Sequence, residues 1–130
     1  MPDRRLGLAM IVYGAASLMH FAHNAMYLSA YPNMPSWLTP TGVWVSWLAQ
    51  TAIGVLGYGV YRFRSRLAGT LLIAGYALLG FAGLDHYAVA PVAAHSIAMN
   101  ATIVIEAATA TALLAYLVLV TRVGGTRRGR

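Results

Sequence analysis

The stretch SIAMNATIVIEAATATALLAYLVLVT, residues 96–121, decides the fold class of this protein. It contains a single acidic residue, Glu106, and no basic one; the other residues are mostly apolar, small or hydroxylated. At about 1.5 Å per residue, a helix of this length crosses the roughly 30 Å hydrocarbon core of a bilayer. We therefore expect residues 96–121 to form a membrane-spanning helix.

The composition of the whole chain favours the same environment. Of its 130 residues, 59% are hydrophobic and 9% are charged, so a water-soluble domain of this length would lack the polar surface to cover itself. Three further apolar stretches of spanning length lie at residues 6–29, 43–61 and 67–89. The sequence thus predicts an all-α integral membrane four-helix bundle that forms one domain over residues 1–122.

The first stretch, residues 6–29, follows Arg4 and Arg5 and has features of a secretory signal peptide. It continues past His20 and His23 without a cleavage site of the A-x-A type, so we expect a retained span. The chain has no cysteine, which excludes a disulfide framework and a thiolate metal site.

The distribution of basic residues predicts the orientation. All nine are arginines, and they lie before the first span, between the second and third, and after the fourth: Arg4, Arg5, Arg62, Arg64, Arg66, Arg122, Arg127, Arg128 and Arg130. By the positive-inside rule, both termini face the cytoplasm in a multi-pass protein of the cell (inner) membrane. Orientation and anionic lipid headgroups explain the net charge of +6, and no basic recognition motif predicts binding to nucleic acid.

The segments between and after the spans differ in character. YPNMPSWLTPTG, residues 31–42, has three prolines and no charge, so we expect an irregular cap at the headgroup level, where its tryptophan settles. The short turn around Ala90 and Pro91 makes the third and fourth spans antiparallel neighbours. Residues 123–130 are rich in glycine and arginine, so we expect them to form a basic, disordered tail.

The ionisable side chains of the spans concentrate in the outer half of the predicted bundle. His20 and His23 would lie roughly 8–13 Å below the outer boundary, and Glu106 about 15 Å below it, near the midplane. Nearer the outer mouth lie three more: Asp85, His86 and His95. Ionisable side chains in hydrocarbon cost several kcal/mol on most scales and by default indicate a functional site. The asymmetry predicts an outward-opening polar pocket.

Helical phase, about 100° per residue, directs polar stripes of three spans toward one another. The stripes are Tyr13, Ser17, His20, Asn24 and Tyr27 on the first span, Trp47, Gln50, Thr51, Gly54 and Tyr58 on the second, and His95, Met99, Thr102 and Glu106 on the fourth. Asn100 lies about 120° away from Glu106 and is expected to contact a neighbouring helix. The candidate substrate-binding residues are Tyr13, Asn24, Trp47, Gln50, Tyr58, Met99 and Asn100.

The polar residues also have structural explanations. Tyrosine and tryptophan near span ends are typically interfacial anchors, and Gln50 and Asn100 are suited to interhelical hydrogen bonds. His86 and His95 could simply lie at the hydrated interface between membrane and water, without a role in a site. A buried pair between Glu106 and a histidine would hold the bundle together without any catalysis.

A metal site is the first chemical hypothesis. His20 and His23, one helical turn apart, and Glu106 from another helix have the composition of a two-histidine, one-carboxylate centre, with His86 and His95 as further metal ligands. Neutral imidazole and carboxylate suit iron, zinc, copper or manganese. Four histidines are fewer than the histidine-rich boxes of membrane desaturases require, which argues against their chemistry.

Acid–base catalysis without a metal is the second hypothesis. Glu106, His20, His23 and Asp85 are the candidate catalytic residues, and aromatic residues and methionines would form apolar walls around a small lipophilic substrate. Isomerisation, cyclisation and epoxide opening are reactions of this class.

The third hypothesis is a protein without catalysis of its own. A glutamate at the midplane fits a small proton-coupled transporter, and a histidine of the first span with His86 or His95 fits a haem-binding subunit. The leading hypothesis from the sequence is an enzyme, metal-assisted or acid–base. Its expected partners are the lipid bilayer and a small lipophilic molecule, and a homo-oligomer is left open.

The arginine distribution predicts how two cysteine variants react in intact cells. Ser36→Cys, in the predicted outer cap, should react with an impermeant thiol reagent added outside, whereas Ser65→Cys, between arginines, should react only after the membrane is opened. Mass-shift labelling measures both. Labelling with the reverse sidedness would overturn the predicted orientation.

Overall fold

The computed structural model describes the backbone of residues 2–126 and the side chains of residues 4–121. The described helices are α1 (Pro2–Met26), α2 (Pro40–Phe63), α3 (Arg66–Leu79), α4 (His86–Val89) and α5 (Ile97–Thr126). Three short 3₁₀ turns connect them, at Leu28–Ala30, Ala82–Asp85 and Val92–Ala94.

Four segments are long and apolar enough to cross a membrane: Arg4–Met26, Pro40–Phe63, Arg66–Val89 and Ile97–Thr121. They coincide closely with the four predicted stretches, which confirms the all-α, four-helix prediction. The sides on which the two termini lie stay a prediction from the arginines. Helix α5 continues to Thr126, so residues 123–126 of the predicted tail are helical, and residues 127–130 lie outside the described residues.

Large apolar side chains cover much of the outer surface. Ile11 is 70% exposed, Val55 68%, Leu71 64% and Leu119 62%, an arrangement that suits hydrocarbon rather than water. The surface supports the interpretation of the protein as a multi-pass membrane protein.

Hydroxyl side chains fix where three helices begin. The Thr39 Oγ1 accepts a hydrogen bond from the Gly42 N–H at 3.1 Å, directly before Pro40, which is a favourable combination for a helix start. The Ser65 Oγ accepts from the Ala68 N–H at 3.2 Å, and the Ser96 Oγ accepts from the Met99 N–H at 3.2 Å. These caps set the positions at which the chain enters α2, α3 and α5.

The third span is not the continuous helix that the prediction for residues 67–89 implied. Helix α3 ends at Leu79, and Gly80 begins a turn that leads into the 3₁₀ segment Ala82–Asp85 and then α4. A Cβ added at Gly80 would lie 2.6 Å from the Tyr13 hydroxyl oxygen and 2.9 Å from the Ala110 Cβ. The backbone therefore passes close to both α1 and α5 where the helix breaks.

Glycines allow α2 and α3 to pack closely. A Cβ added at Gly54 would lie 2.6 Å from the Tyr76 ring, and one at Gly57 would lie 3.0 Å from Ile73. A Cβ at Gly69 would collide with the backbone of Tyr61. Backbone cannot give way as a side chain can, so Gly69 marks the tightest of these helix contacts.

The close contact at Gly69 predicts that Gly69→Ala destabilises the protein by about 1–3 kcal/mol, the usual cost of overpacking. Gly75→Ala is the matched control on the same helix, because a Cβ there meets no described atom within 4 Å; it should be neutral or stabilising by about 0.5–1 kcal/mol. Thermal unfolding in detergent measures both. Equal melting temperatures for the two variants would contradict the packing.

Candidate functional site

Glu106 on α5 and His20 on α1 form a buried polar contact between the two helices. The Glu106 Oε2 lies 3.8 Å from the His20 Nε2, and the side chains are 1% and 2% exposed. This distance suits an ion pair and exceeds that of a hydrogen bond. Within the described part of the chain, neither Glu106 carboxyl oxygen has a hydrogen-bond partner. The carboxyl group is thus buried and aimed at an imidazole.

The second ring nitrogen of His20 sets the tautomer of the imidazole. The His20 Nδ1 lies 3.4 Å from the Thr102 Oγ1, and the Thr102 hydroxyl donates to the Met99 carbonyl oxygen at 3.0 Å. Since the hydroxyl proton is already used, Thr102 accepts a bond from Nδ1–H, and the Nε2 lone pair faces Glu106. For the contact at 3.8 Å to be attractive, one of the two groups must carry a proton: the carboxyl, or the Nε2 of His20.

The break in the third span covers this pair. A Cβ added at Gly83, in the 3₁₀ segment, would lie 3.3 Å from the Glu106 Oε2 and 3.4 Å from the His20 Nε2. Such distances are tighter than most van der Waals contacts, so Gly83 lets the backbone lie directly against the two side chains.

Polar and aromatic side chains close the side of the pair that faces the start of α1. The Gln50 amide donates to the Ser17 Oγ at 2.6 Å, and both residues lie beside the Glu106 carboxyl. One turn further along α1, the Tyr13 hydroxyl donates to the Tyr76 carbonyl oxygen at 3.1 Å, and the two rings lie 4.7 Å apart. The polar stripe of α1 is buried here, as its spacing predicts.

A column of aromatic and imidazole rings leads outward from His20. Its ring centroid lies 5.6 Å from that of His86, which lies 4.8 Å from Tyr31 and 6.0 Å from His95. The Asn24 amide donates to the His86 Nε2 at 3.2 Å. His86, Tyr31 and His95 come from the two outer connections, which therefore meet over the outer end of α1.

Tyr31 is the central residue of this column that the sequence analysis missed. Its hydroxyl oxygen lies 2.8 Å from the His23 Nδ1, and only 4% of Tyr31 is exposed. Burial raises the pKa of the Tyr31 phenol above its usual value, so the hydroxyl keeps its proton and can donate it to Nδ1. His23 therefore points to Tyr31, and of the two histidines on α1, His20 is the one that contacts Glu106.

Asn100 and His95 organise the second outer connection. The Asn100 amide donates to the carbonyl oxygens of Val92 and His95, both at 3.2 Å, and its Oδ1 accepts from the Tyr87 hydroxyl at 2.8 Å. The His95 Nδ1 contacts the Pro91 carbonyl oxygen at 3.1 Å, while its Nε2 is buried without a partner among the described groups. Asn100 thus contacts the neighbouring segment, as its helical phase predicts.

Four other candidate residues lie around or away from the pair. Asp85 is exposed at the end of the 3₁₀ segment, next to His86. Met99 is buried one helical turn outward of Thr102. Trp47 and Tyr58 are half-buried on α2, and Tyr58 lines a separate groove between α1 and α2. The roles of these four residues stay predictions from the sequence.

The predicted metal centre has no support in the geometry. Among the side chains of residues 4–121, no group of three or more histidines and carboxylates is arranged to hold a metal ion. The His86 Nε2 faces the Asn24 amide and the His95 Nδ1 faces the Pro91 carbonyl, so these nitrogens are directed to different partners.

Three cavities lie near the bundle surface, and none of them is lined by Glu106 or His20. An outer cavity of about 520 Å³ has Tyr31 among its walls. A lateral groove of about 370 Å³ lies between α1 and α2, and a third, of about 330 Å³, lies between α1 and α5. The outer cavity therefore approaches the ring column at Tyr31.

No protein-family model, no curated protein and no solved structure matches this chain. The function is accordingly inferred from the geometry of the residues alone.

The shared proton predicts that two substitutions at Glu106 differ in stability. Glu106→Gln can donate an amide N–H to the His20 Nε2 in place of the proton, so it should cost less than about 1 kcal/mol. Glu106→Leu leaves the buried nitrogen unpaired and should cost about 1–3 kcal/mol. Thermal unfolding in detergent compares them, and a leucine variant as stable as the glutamine variant would argue against the contact.

Proposed function

We propose that the protein is a membrane-embedded enzyme that performs acid–base chemistry on a small lipophilic molecule, with Glu106 and His20 as its proton-exchanging pair. The observation that carries the proposal is the buried carboxyl group, 3.8 Å from an imidazole nitrogen and otherwise without a hydrogen bond. We place the pair in the outer half of the cell membrane, with both termini in the cytoplasm.

A carboxyl and an imidazole that hold one proton between them can act as both acid and base. The protonated group donates to one atom of the substrate, and the other group accepts a proton from a neighbouring carbon. In an isomerisation the proton gained and the proton lost balance, so no co-reactant is consumed. The contact with Thr102 orients the His20 ring, and Gly83 lies against the His20 and Glu106 side chains.

The lateral groove offers a lipophilic substrate a route from the bilayer. Its volume of about 370 Å³ is within the range of small-molecule sites, and the glycines Gly14 and Gly54 line it. Tyr76 forms part of its wall, and its carbonyl oxygen accepts from the Tyr13 hydroxyl one turn along α1 from Ser17. The Thr51 Oγ1, also at this groove, is buried without a partner in the described residues and is available to a polar group of the substrate.

The ring column supplies the pair with protons from the outer side. His86 and Tyr31 follow one another outward from His20 at centroid distances of 5.6 and 4.8 Å, and Tyr31 reaches the outer cavity. Side chains that both donate and accept protons form such relays in membranes. The column allows Glu106 to exchange its proton with solvent without opening the pair to water.

Deuterium transfer from solvent tests the proposed enzyme. Protein in nanodiscs is incubated in D₂O with the lipophilic extract of the host membrane, and mass spectrometry identifies molecules that gain deuterium. Glu106→Gln should slow this labelling at least about a hundredfold, because general acid–base catalysis contributes that much or more. Thr111→Val, on the exposed face of the same helix, is the control. With this variant the molecules should gain deuterium at the same rate as with the unchanged protein.

Labelling that persists in Glu106→Gln at the rate of the unchanged protein would refute the assigned role. If no molecule gains deuterium in a protein-dependent way, the proposal that the protein transfers protons to and from a carbon atom of its substrate is wrong.

A proton-coupled transporter is the second candidate, and the continuous ring column favours it. In a transporter, Glu106→Gln keeps the affinity for the transported molecule but loses its dependence on pH, because glutamine exchanges no proton. An enzyme changes the covalent structure of the bound molecule, and a transporter leaves it intact. Ligand affinity across pH, measured beside product analysis, distinguishes the two.

A further inference from the structure

A groove between α1 and α5 lies at the opposite end of the bundle from the ring column. Its volume is about 330 Å³, and its walls include Leu8 and Val12 from α1 and Ala112 and Leu113 from α5. Leu8 is 62% and Val12 50% exposed, so the groove opens sideways toward the surrounding lipid rather than into the bundle.

Charge is confined to one end of this groove. Among the residues that line it, Arg5, near the start of α1, is the only charged one, and Tyr116 is the residue of the lining furthest along α5. Val12 and Thr109 mark the other end, roughly 10 Å away along either helix. An arginine at the end of a span reaches the headgroup level, so the groove runs from the headgroups into the hydrocarbon.

The deep end of the groove offers nothing polar to an occupant. The Thr109 hydroxyl already donates within α5, where the carbonyl oxygens of Ile105 and Glu106 both lie 2.9 Å from it. The remaining deep walls are apolar side chains. The occupant that fits is therefore aliphatic over its buried length and anionic at the end that meets Arg5.

We infer that this groove binds an anionic phospholipid, with its phosphate on the Arg5 guanidinium and one acyl chain between α1 and α5. A guanidinium binds phosphate through two parallel hydrogen bonds, and basic positions between spans bind anionic headgroups. The bound lipid fills the gap between the two helices that carry His20 and Glu106. The site is separate from the proposed acid–base function and does not depend on it.

Native mass spectrometry with added phosphatidylglycerol and phosphatidylcholine of identical acyl chains tests the headgroup contact. Arg5→Gln should weaken phosphatidylglycerol binding about fivefold, the effect of one arginine near an anionic headgroup. Arg64→Gln, which removes an exposed arginine from another connection, is the control and should bind as the unchanged protein does. Equal losses in both variants, or equal binding of the two lipids, would overturn the proposal.

The acyl-chain contact is tested by filling the groove. Ala112 is exposed on α5 and lines the groove, whereas Ala115 is exposed on the same helix and does not. Ala112→Leu should reduce phosphatidylglycerol binding to the level seen for phosphatidylcholine, and Ala115→Leu should leave it unchanged. Unaltered binding in Ala112→Leu would overturn the placement of the chain.

Discussion

The contact between Glu106 and His20 is the constraint on which the rest of the structure depends. A carboxyl group as deeply buried as that of Glu106 is removed from solvent, so its partner must come from the protein. The 3.8 Å separation between the Glu106 Oε2 and the His20 Nε2 requires α1 to lie beside α5. Thr102 holds the far side of the imidazole, which leaves one nitrogen for the proton that the pair shares.

The break in the third span follows from the same constraint. A continuous helix would present side chains to the pair, whereas the position nearest to it is Gly83, where even a Cβ would lie 3.3 Å from the Glu106 Oε2 and 3.4 Å from the His20 Nε2. The chain then continues through α4, which places His86 against His20 and Tyr31. The outer connections thus serve as the upper wall of the site, and the ring column is a consequence of how they fold over α1.

The sequence predicts the spans and part of the site. The features that it does not predict, the break in the third span and the position of Tyr31, have physical explanations. Apolar length locates the spans, and helical phase places His20 and Glu106 on inward faces. Phase holds only along a continuous helix, so it did not anticipate the break after Leu79. Tyr31 lies in an irregular connection that has no periodicity, and its contact with His23 redirects that histidine away from the predicted trio with Glu106.

Solid-state ¹⁵N NMR of histidine-labelled protein in lipid bilayers tests the shared proton most directly, with His20→Gln used to assign the His20 signals. The account predicts a protonated His20 Nδ1 and a His20 Nε2 whose signal is shifted by the neighbouring carboxyl group from that of an isolated imidazole nitrogen. In Glu106→Leu the Nε2 signal should move to that of an unprotonated, unbonded imidazole nitrogen while Nδ1 stays protonated. A spectrum of His20 that is identical in the unchanged protein and in Glu106→Leu would contradict the account.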